Sequence, residues 1–206
     1  SGAALNHLHL VLGHEEVPQA LLRDRLALRA AEACVAFSGR PERARELRDA
    51  VHLLRPCDLP GPAGETCLAW RRAVERPVSV KALGRALPTF EPGQIATWLD
   101  AGEGAPIKRA ALVLDAVLTE APRAEVPALI LADAALAQAL GWDHVVPLFA
   151  AGLKRADLRK RGDDLRLAFH RALVLSAVDA VRQAADLARR AAHLKSVAPK
   201  LRAKGA

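Results

Sequence analysis

The chain has 206 residues and a formal net charge of +7; 51% of it is hydrophobic, only 3% is aromatic, and it contains no Tyr. That length and apolar content suffice for one well-buried domain, whose core must be built from Ala, Leu and Val. Cys34, Cys57 and Cys67 are odd in number and lack C-x-x-C spacing, which argues against a disulfide framework and against a zinc site. They read as reduced thiols of a cytoplasmic protein. Ser1 to Leu12 has neither the charged start nor the cleavage site of a signal peptide, and no apolar run reaches the ~20 residues of a membrane span. There is no Met, so the chain is expected to be processed or partial, with Ser1-Gly2 a possible tag remnant. The heavy Arg and Ala usage also fits GC-rich coding, which discounts part of the basic charge.

The predicted elements are all helical. Leu5, Leu8 and Leu12 mark a first helix over Ala3–Leu12. His7 and His9 lie two apart, on different faces of that helix, a poor spacing for a metal pair. After Gly13, Pro18 opens a long helix to Phe37, with Leu22, Leu26, Ala30, Ala33 and Phe37 inward. Pro41 is expected to start the next helix, to Leu54, with Glu42–Arg45 and Glu46–Arg48 pairs outside.

Arg55 to Gly64, RPCDLPGPAG, holds three prolines and two glycines and feeds a helix starting near Ala63. Helix N-termini attract anions, so Arg55, Gly61 and Gly64 form a candidate phosphate or carboxylate site. A rigid connector between antiparallel helices is the preferred reading, and the Gly-Lys-Ser/Thr signature of a P-loop is absent. Helices to Glu75, from Ser79 to Leu87, from Pro92 to Ala101 and from Pro106 to Glu120 follow, punctuated by Pro starts and Gly stops. Trp98 and Leu99 should dock one on the core, and Leu112, Val113, Val117 and Leu118 another.

The stretch Val126 to Gly152, VPALILADAALAQALGWDHVVPLFAAG, organises the rest. Only Asp133 and Gln138 interrupt its first half, and a helix without a polar face must be covered on most sides. It reads as a buried central helix over 127–140, with Pro127 at its first position and Gly141 as its left-handed stop. Val145 to Ala151 is a second short apolar element. A buried carboxylate needs a partner. For Asp133 an Arg, a His or a neighbouring helix N-terminus is favoured over a catalytic role.

From Lys154 onward there are 14 Lys+Arg against 5 Asp+Glu, and before it 16 against 18. All the net positive charge lies in the last quarter, as expected of a polyanion-facing surface. Lys154, Arg155, Arg159, Lys160 and Arg161 form a basic link. Asp163 and Asp164 suit the start of a last long helix, to about Lys195, with Leu165, Phe169, Leu173, Val181, Ala184, Ala188 and Ala191 inward and an Arg182–Asp186–Arg190 ladder outside. Its last turns, with Arg189, Arg190 and Lys195, should project from the bundle. Pro199 should stop the helix, leaving Lys200, Arg202 and Lys204 in a basic tail over 200–206. The fold is thus all-α: one domain over 1–199, with nine to ten helices around a buried central one and a long C-terminal helix.

Four stretches together, RLALRAAEAC (25–34), RELRDAVHLLRPCDLPGPAGETCLAWRR (45–72), LADAALAQALGWDHVVPL (131–148) and ADLARRAAHLKSVAPKLRAKGA (185–206), resemble domain-of-unknown-function family 1403, uncharacterised alphaproteobacterial proteins. The resemblance covers nearly the whole chain. It implies relatives longer at both ends, continuing past KLRAKGA into a small segment resembling a winged helix. On that reading the basic tail leads into a DNA-binding segment absent here, and the chain is its helical companion. The family carries no established activity, so the resemblance implies no catalytic residue. LADAALAQALGWDHVVPL also resembles part of Fic-type helical domains, but their phosphate loop is absent and AMP transfer is not expected.

The leading expectation is a non-enzymatic module touching DNA or RNA phosphates through Lys154–Arg161 and Arg189–Lys204, with affinity and salt dependence but little sequence preference. The tail has no aromatics, which disfavours recognition of single strands by stacking. The alternatives are a homodimerisation or protein-interaction module using the Ala-rich stripe of the last helix, and an enzyme built on Asp133, His52, His170 and Arg55. No metal, cofactor or membrane partner is expected.

Overall fold

The computed structural model describes the backbone of residues 1–55 and 58–204 and the side chains of 1–55 and 58–198. Cys57 lies outside the described residues. Ten α-helices run in order: α1 Gly2–Leu12, α2 Gln19–Phe37, α3 Ala44–His52, α4 Gly61–Glu75, α5 Val80–Ala86, α6 Pro92–Asp100, α7 Pro106–Glu120, α8 Glu125–Leu140, the single turn α9 Phe149–Gly152, and α10 Gly162–Lys204. A 3-10 turn over Arg155–Arg159 precedes α10. No strand occurs among the described residues; Pro77 and His144 form one isolated bridge.

The central helix is where its composition puts it. Residues Ala128 to Ala137 of α8 are buried without a gap, Asp133 included. Helix α7 forms a hairpin with α8, and α4, α6 and α9 cover other sides. Gly141 closes α8 at φ +66°, a left-handed angle that costs a residue with a Cβ about 1 kcal/mol or more. Pro127 is the third residue of α8, not the first. The three leading N–H groups of a helix have no internal partner, so proline is tolerated there as well.

Local signals mark several other helix starts. Ser79 caps α5, its hydroxyl accepting from the Ala82 N–H at 3.2 Å. Pro92 and Pro106 each open a helix. Trp98 and Leu99 are buried as expected, and Trp98 Nε1 donates to Glu120 at 2.6 Å, which ties α6 to the end of α7. Helix α3 is shorter than expected. It starts after Arg43, whose N–H is taken by Glu46 at 2.6 Å, and stops at His52. That bond uses Glu46, and Glu42 turns back to Arg40, so Arg45 and Arg48 both pair with Asp49 instead of with the glutamates.

Helix α10 is the longest element, 43 residues or about 65 Å. Its buried positions are Leu165, Ala168, Phe169, Ala172, Leu173, Ser176, Ala177, Ala180, Ala184 and Leu187. Small residues dominate that stripe, so α1, α2, α7 and α9 approach it closely. Val181, Ala188 and Ala191 are only half-buried, at the margin of the stripe. Arg25 and Arg29 of α2 reach Asp186 and Asp179 of α10. Asp186 is therefore shared by Arg25, Arg189 and Arg190, and Arg182 is not part of a ladder with it.

The backbone stays helical through Pro199 to Lys204, so Pro199 does not end the helix. A proline removes one backbone donor. The carbonyl it leaves unpaired is that of exposed Lys195, which water can satisfy.

Both described cysteines are enclosed. Cys34 is 2% exposed and Cys67 1%. Burial pushes the Cys34 thiol up to about 12 and raises that of Cys67 as well. Thiolate is the reactive species, so both should resist iodoacetamide in the native protein and react only on unfolding. Peptide mapping by mass spectrometry after native and denatured labelling checks this; rapid native labelling of Cys34 would refute it.

Candidate functional site

The basic residues singled out from the sequence fall into two groups at opposite ends of α10. Lys154 to Arg161 precede its first residue, and Arg189, Arg190 and Lys195 lie 27 or more residues further on, about 40 Å along the axis. They do not form one patch.

The first group is partly neutralised. Lys160 pairs with Asp157 at 2.5 Å and Arg161 with Asp115 of α7 at 2.8 Å. Arg161 also donates to the carbonyls of Leu158 and Lys160. Burial opposes ionisation of Asp157, but bonds from Lys160 and the Lys154 N–H outweigh it and hold the carboxyl below its usual range. Asp157 and Asp115 thus use their charges to seat the link. Lys154, Arg155 and Arg159 are exposed.

The second group is open. Leu187 is the last buried residue of α10 among the described side chains, and from there the helix runs about 25 Å further to Lys204. Residues 188–206 hold six Lys+Arg and no Asp or Glu. The side chains of Arg189 and Arg190 are 76% and 66% exposed, and one carboxylate, Asp186, serves both and Arg25. Lys195 is exposed. The side chains of Lys200, Arg202 and Lys204 lie outside the described residues.

The proline-rich loop has internal contacts of its own. The Arg55 N–H is taken by Asp58 at 3.1 Å, which also brings a negative charge into the loop. Gly61 opens α4 at φ +65°. Gly64 is buried, and a Cβ there would stand 2.8 Å from Pro60 Cβ, so its glycine serves packing.

Asp133 has the structural role favoured for it. Its carboxylate accepts from the Leu148 N–H at 3.1 Å and the Phe149 N–H at 3.3 Å, capping α9 from the middle of α8. Burial pushes the carboxyl well above the usual range, and these two bonds only partly offset it. The other residues weighed for catalysis stand elsewhere. His170 of α10 is bonded to Ser1 at 2.9 Å, and exposed His52 ends α3 beside a cavity of about 220 Å³ with Arg48, Cys67 and Arg71.

Sequence reasoning missed one constellation. His9 of α1, Arg23 of α2, and Trp142 and His144 after α8 line a common cavity of about 350 Å³. Nothing in their spacing could reveal it, because three separate segments supply them. The one signal was an Arg on the inner flank of α2 with no acidic residue three or four positions away.

No helix among the described residues is long and apolar enough to cross a membrane. No curated protein and no solved structure matches the chain. A family model matches along its whole length, residues 1–206, and the chain therefore belongs to the family described as Protein of unknown function (DUF1403).

Proposed function

We propose that this chain is a non-enzymatic helical module of a cytoplasmic, DNA-binding regulator, and that it contacts nucleic acid through the projecting end of α10. The carrying observation is the combination of form and charge there. About 25 Å of helix beyond Leu187 carries six basic residues and no acidic one. A helix of that kind is suited to lie along phosphates, giving affinity with little base preference.

Fluorescence anisotropy with a 24-base-pair duplex across a salt series is the test. Binding should fall with log[salt] at a slope of about −3 to −5, and replacing Lys200, Arg202 and Lys204 with Ala should reduce that slope by about 2 to 3. Replacing Lys154, Arg155 and Arg159 should leave binding to a 10-base-pair duplex unchanged, because about 40 Å separates the two ends and ~3.4 Å per base pair then asks for about 12 pairs to bridge them. Absence of binding at 50 mM salt would sink the proposal.

One observation favours a second reading, a dimerisation or protein-interaction module. The buried positions Leu173, Ala177, Ala180, Ala184 and Leu187 alternate by four and three, and Ala191, Leu194 and Ala198 continue that spacing past the bundle. Leu194 is 67% exposed. Light scattering at several concentrations, with Leu194→Glu as the disrupting variant, separates this from the nucleic-acid reading.

A further inference from the structure

We infer that the cavity between α1, α2 and the segment after α8 binds a small planar organic anion, its anionic group held by Arg23 and its ring laid against His9 and Trp142. At about 350 Å³ the cavity lies within the range of small-molecule sites. Its polar lining is His9, Gln19, Arg23, Trp142, Asp143 and His144.

Arg23 is the reason to expect an anion. It is half-buried, its Nε is enclosed, and among the described residues it has neither a hydrogen bond nor an ion pair. Its only acidic sequence neighbour, Asp24, is exposed and lines the different cavity beside Cys67. An enclosed guanidinium donor without an acceptor is costly. A carboxylate or phosphate satisfies Nε and a terminal nitrogen together, because its oxygens match the fork of the guanidinium. Helix α2 adds to this. It begins at Gln19 on the cavity wall with no side-chain cap, so its positive end faces the same region.

The remaining walls shape the rest of the ligand. Trp142 Nε1 donates to His9 Nδ1 at 2.8 Å, and the two rings are 17° from parallel with centroids 6.4 Å apart. Rings joined edge to edge in this way present one flat surface. Burial, with Arg23 nearby, lowers the pKa of His144, so near neutral pH its ring is uncharged and offers one donor and one acceptor. Asp143 is exposed at the cavity and carries the opposing charge. Its presence favours a single compact anionic group over a polyphosphate.

Trp70 and Trp98 are buried at 0% and 2% exposure, so the half-buried Trp142 is the tryptophan able to report binding. The full chain is titrated with benzoate and with phenyl phosphate, following tryptophan fluorescence and, in parallel, heat by calorimetry. Inorganic phosphate and benzylamine are the controls. We expect saturable binding of at least one of the two aromatic anions, and the tighter one identifies the anionic group. Binding should weaken about tenfold or more in Arg23→Gln and stay unchanged in Arg25→Gln, whose arginine pairs with Asp186 outside the cavity. Asp143→Asn, at an exposed position that should not disturb folding, should tighten it severalfold at low salt. Failure of both aromatic anions to saturate, or equal affinity in Arg23→Gln, overturns the inference. Unaltered binding in Asp143→Asn overturns it too, as does inorganic phosphate binding as well as phenyl phosphate.

Discussion

Replacing Asp133 with Ala should destabilise the protein by about 3 kcal/mol, visible as a melting point lower by roughly 5–10 °C. The side chain is fully enclosed and accepts from two backbone N–H groups, those of Leu148 and Phe149. With alanine both donors stay buried without an acceptor, each costing about 1–3 kcal/mol, and a small cavity opens in the core. The loss of a costly buried carboxyl offsets part of this, which keeps the expected value near the middle of the range. Asp133→Asn retains an acceptor oxygen and should cost about half as much or less.

The two proteins should also differ in pH dependence. The carboxyl of Asp133 titrates well above its usual range in the fold, so the native state holds this proton more tightly than the unfolded chain does. Its contribution is full below the unfolded pKa and declines as pH rises toward the folded value. Wild type should therefore lose stability relative to Asp133→Asn as pH rises from 4 upward. Urea unfolding followed by circular dichroism at several pH values measures both effects. A wild-type-like Asp133→Ala would show that the α9 turn does not depend on this cap.

Gly152→Ala should be of similar severity, about 3 kcal/mol, with Gly152→Val worse. Gly152 ends α9 where that turn meets α10. A Cβ there would stand 2.5 Å from the Ala172 carbonyl oxygen and 2.6 Å from Ser176 Oγ. The carbonyl belongs to the long helix and cannot move without breaking its ladder, so α9 must shift and take Phe149 away from Phe169, its neighbour at 4.3 Å. Ser176→Ala alone should be neutral or slightly stabilising, because the buried hydroxyl has no partner among the described residues. Combined with Gly152→Ala it should recover less than half of the loss, since the carbonyl contact remains. Thermal unfolding of the two single variants and the double variant tests this; full recovery would assign the strain to Ser176 instead.

Much of this molecule was legible in its residues. Proline placed the starts of α6 and α7, at Pro92 and Pro106, because it fixes φ where a helix begins, and Gly141 placed the end of α8, because glycine supplies the left-handed angle there. The apolar run of α8 implied a central position, since only enclosure on all sides accommodates a helix with no polar face. Even the kind of partner for Asp133, a neighbouring helix N-terminus, was among the readings drawn from its burial. The charge count placed the net positive charge in the last quarter, and that part of the chain does carry a projecting basic helix.

What composition and spacing cannot hold is which distant segments meet. The partner of Asp133 is the chain turn at Leu148 and Phe149, fixed only when the segment after Gly141 folds back along α8. The basic residues near 154–161 and 189–195 read as one charge block, yet a straight helix of about 1.5 Å per residue carries them to opposite ends. Pro199 marks a stop by local preference, while the backbone stays helical to Lys204. His9, Arg23, Trp142 and His144 share no pattern at all; only the tertiary placement of α1, α2 and the segment after α8 brings them around one cavity. Periodicity, caps and burial are local properties and so belong to the sequence. Contacts between elements depend on how the apolar faces settle against one another, and that was decided by the tertiary structure.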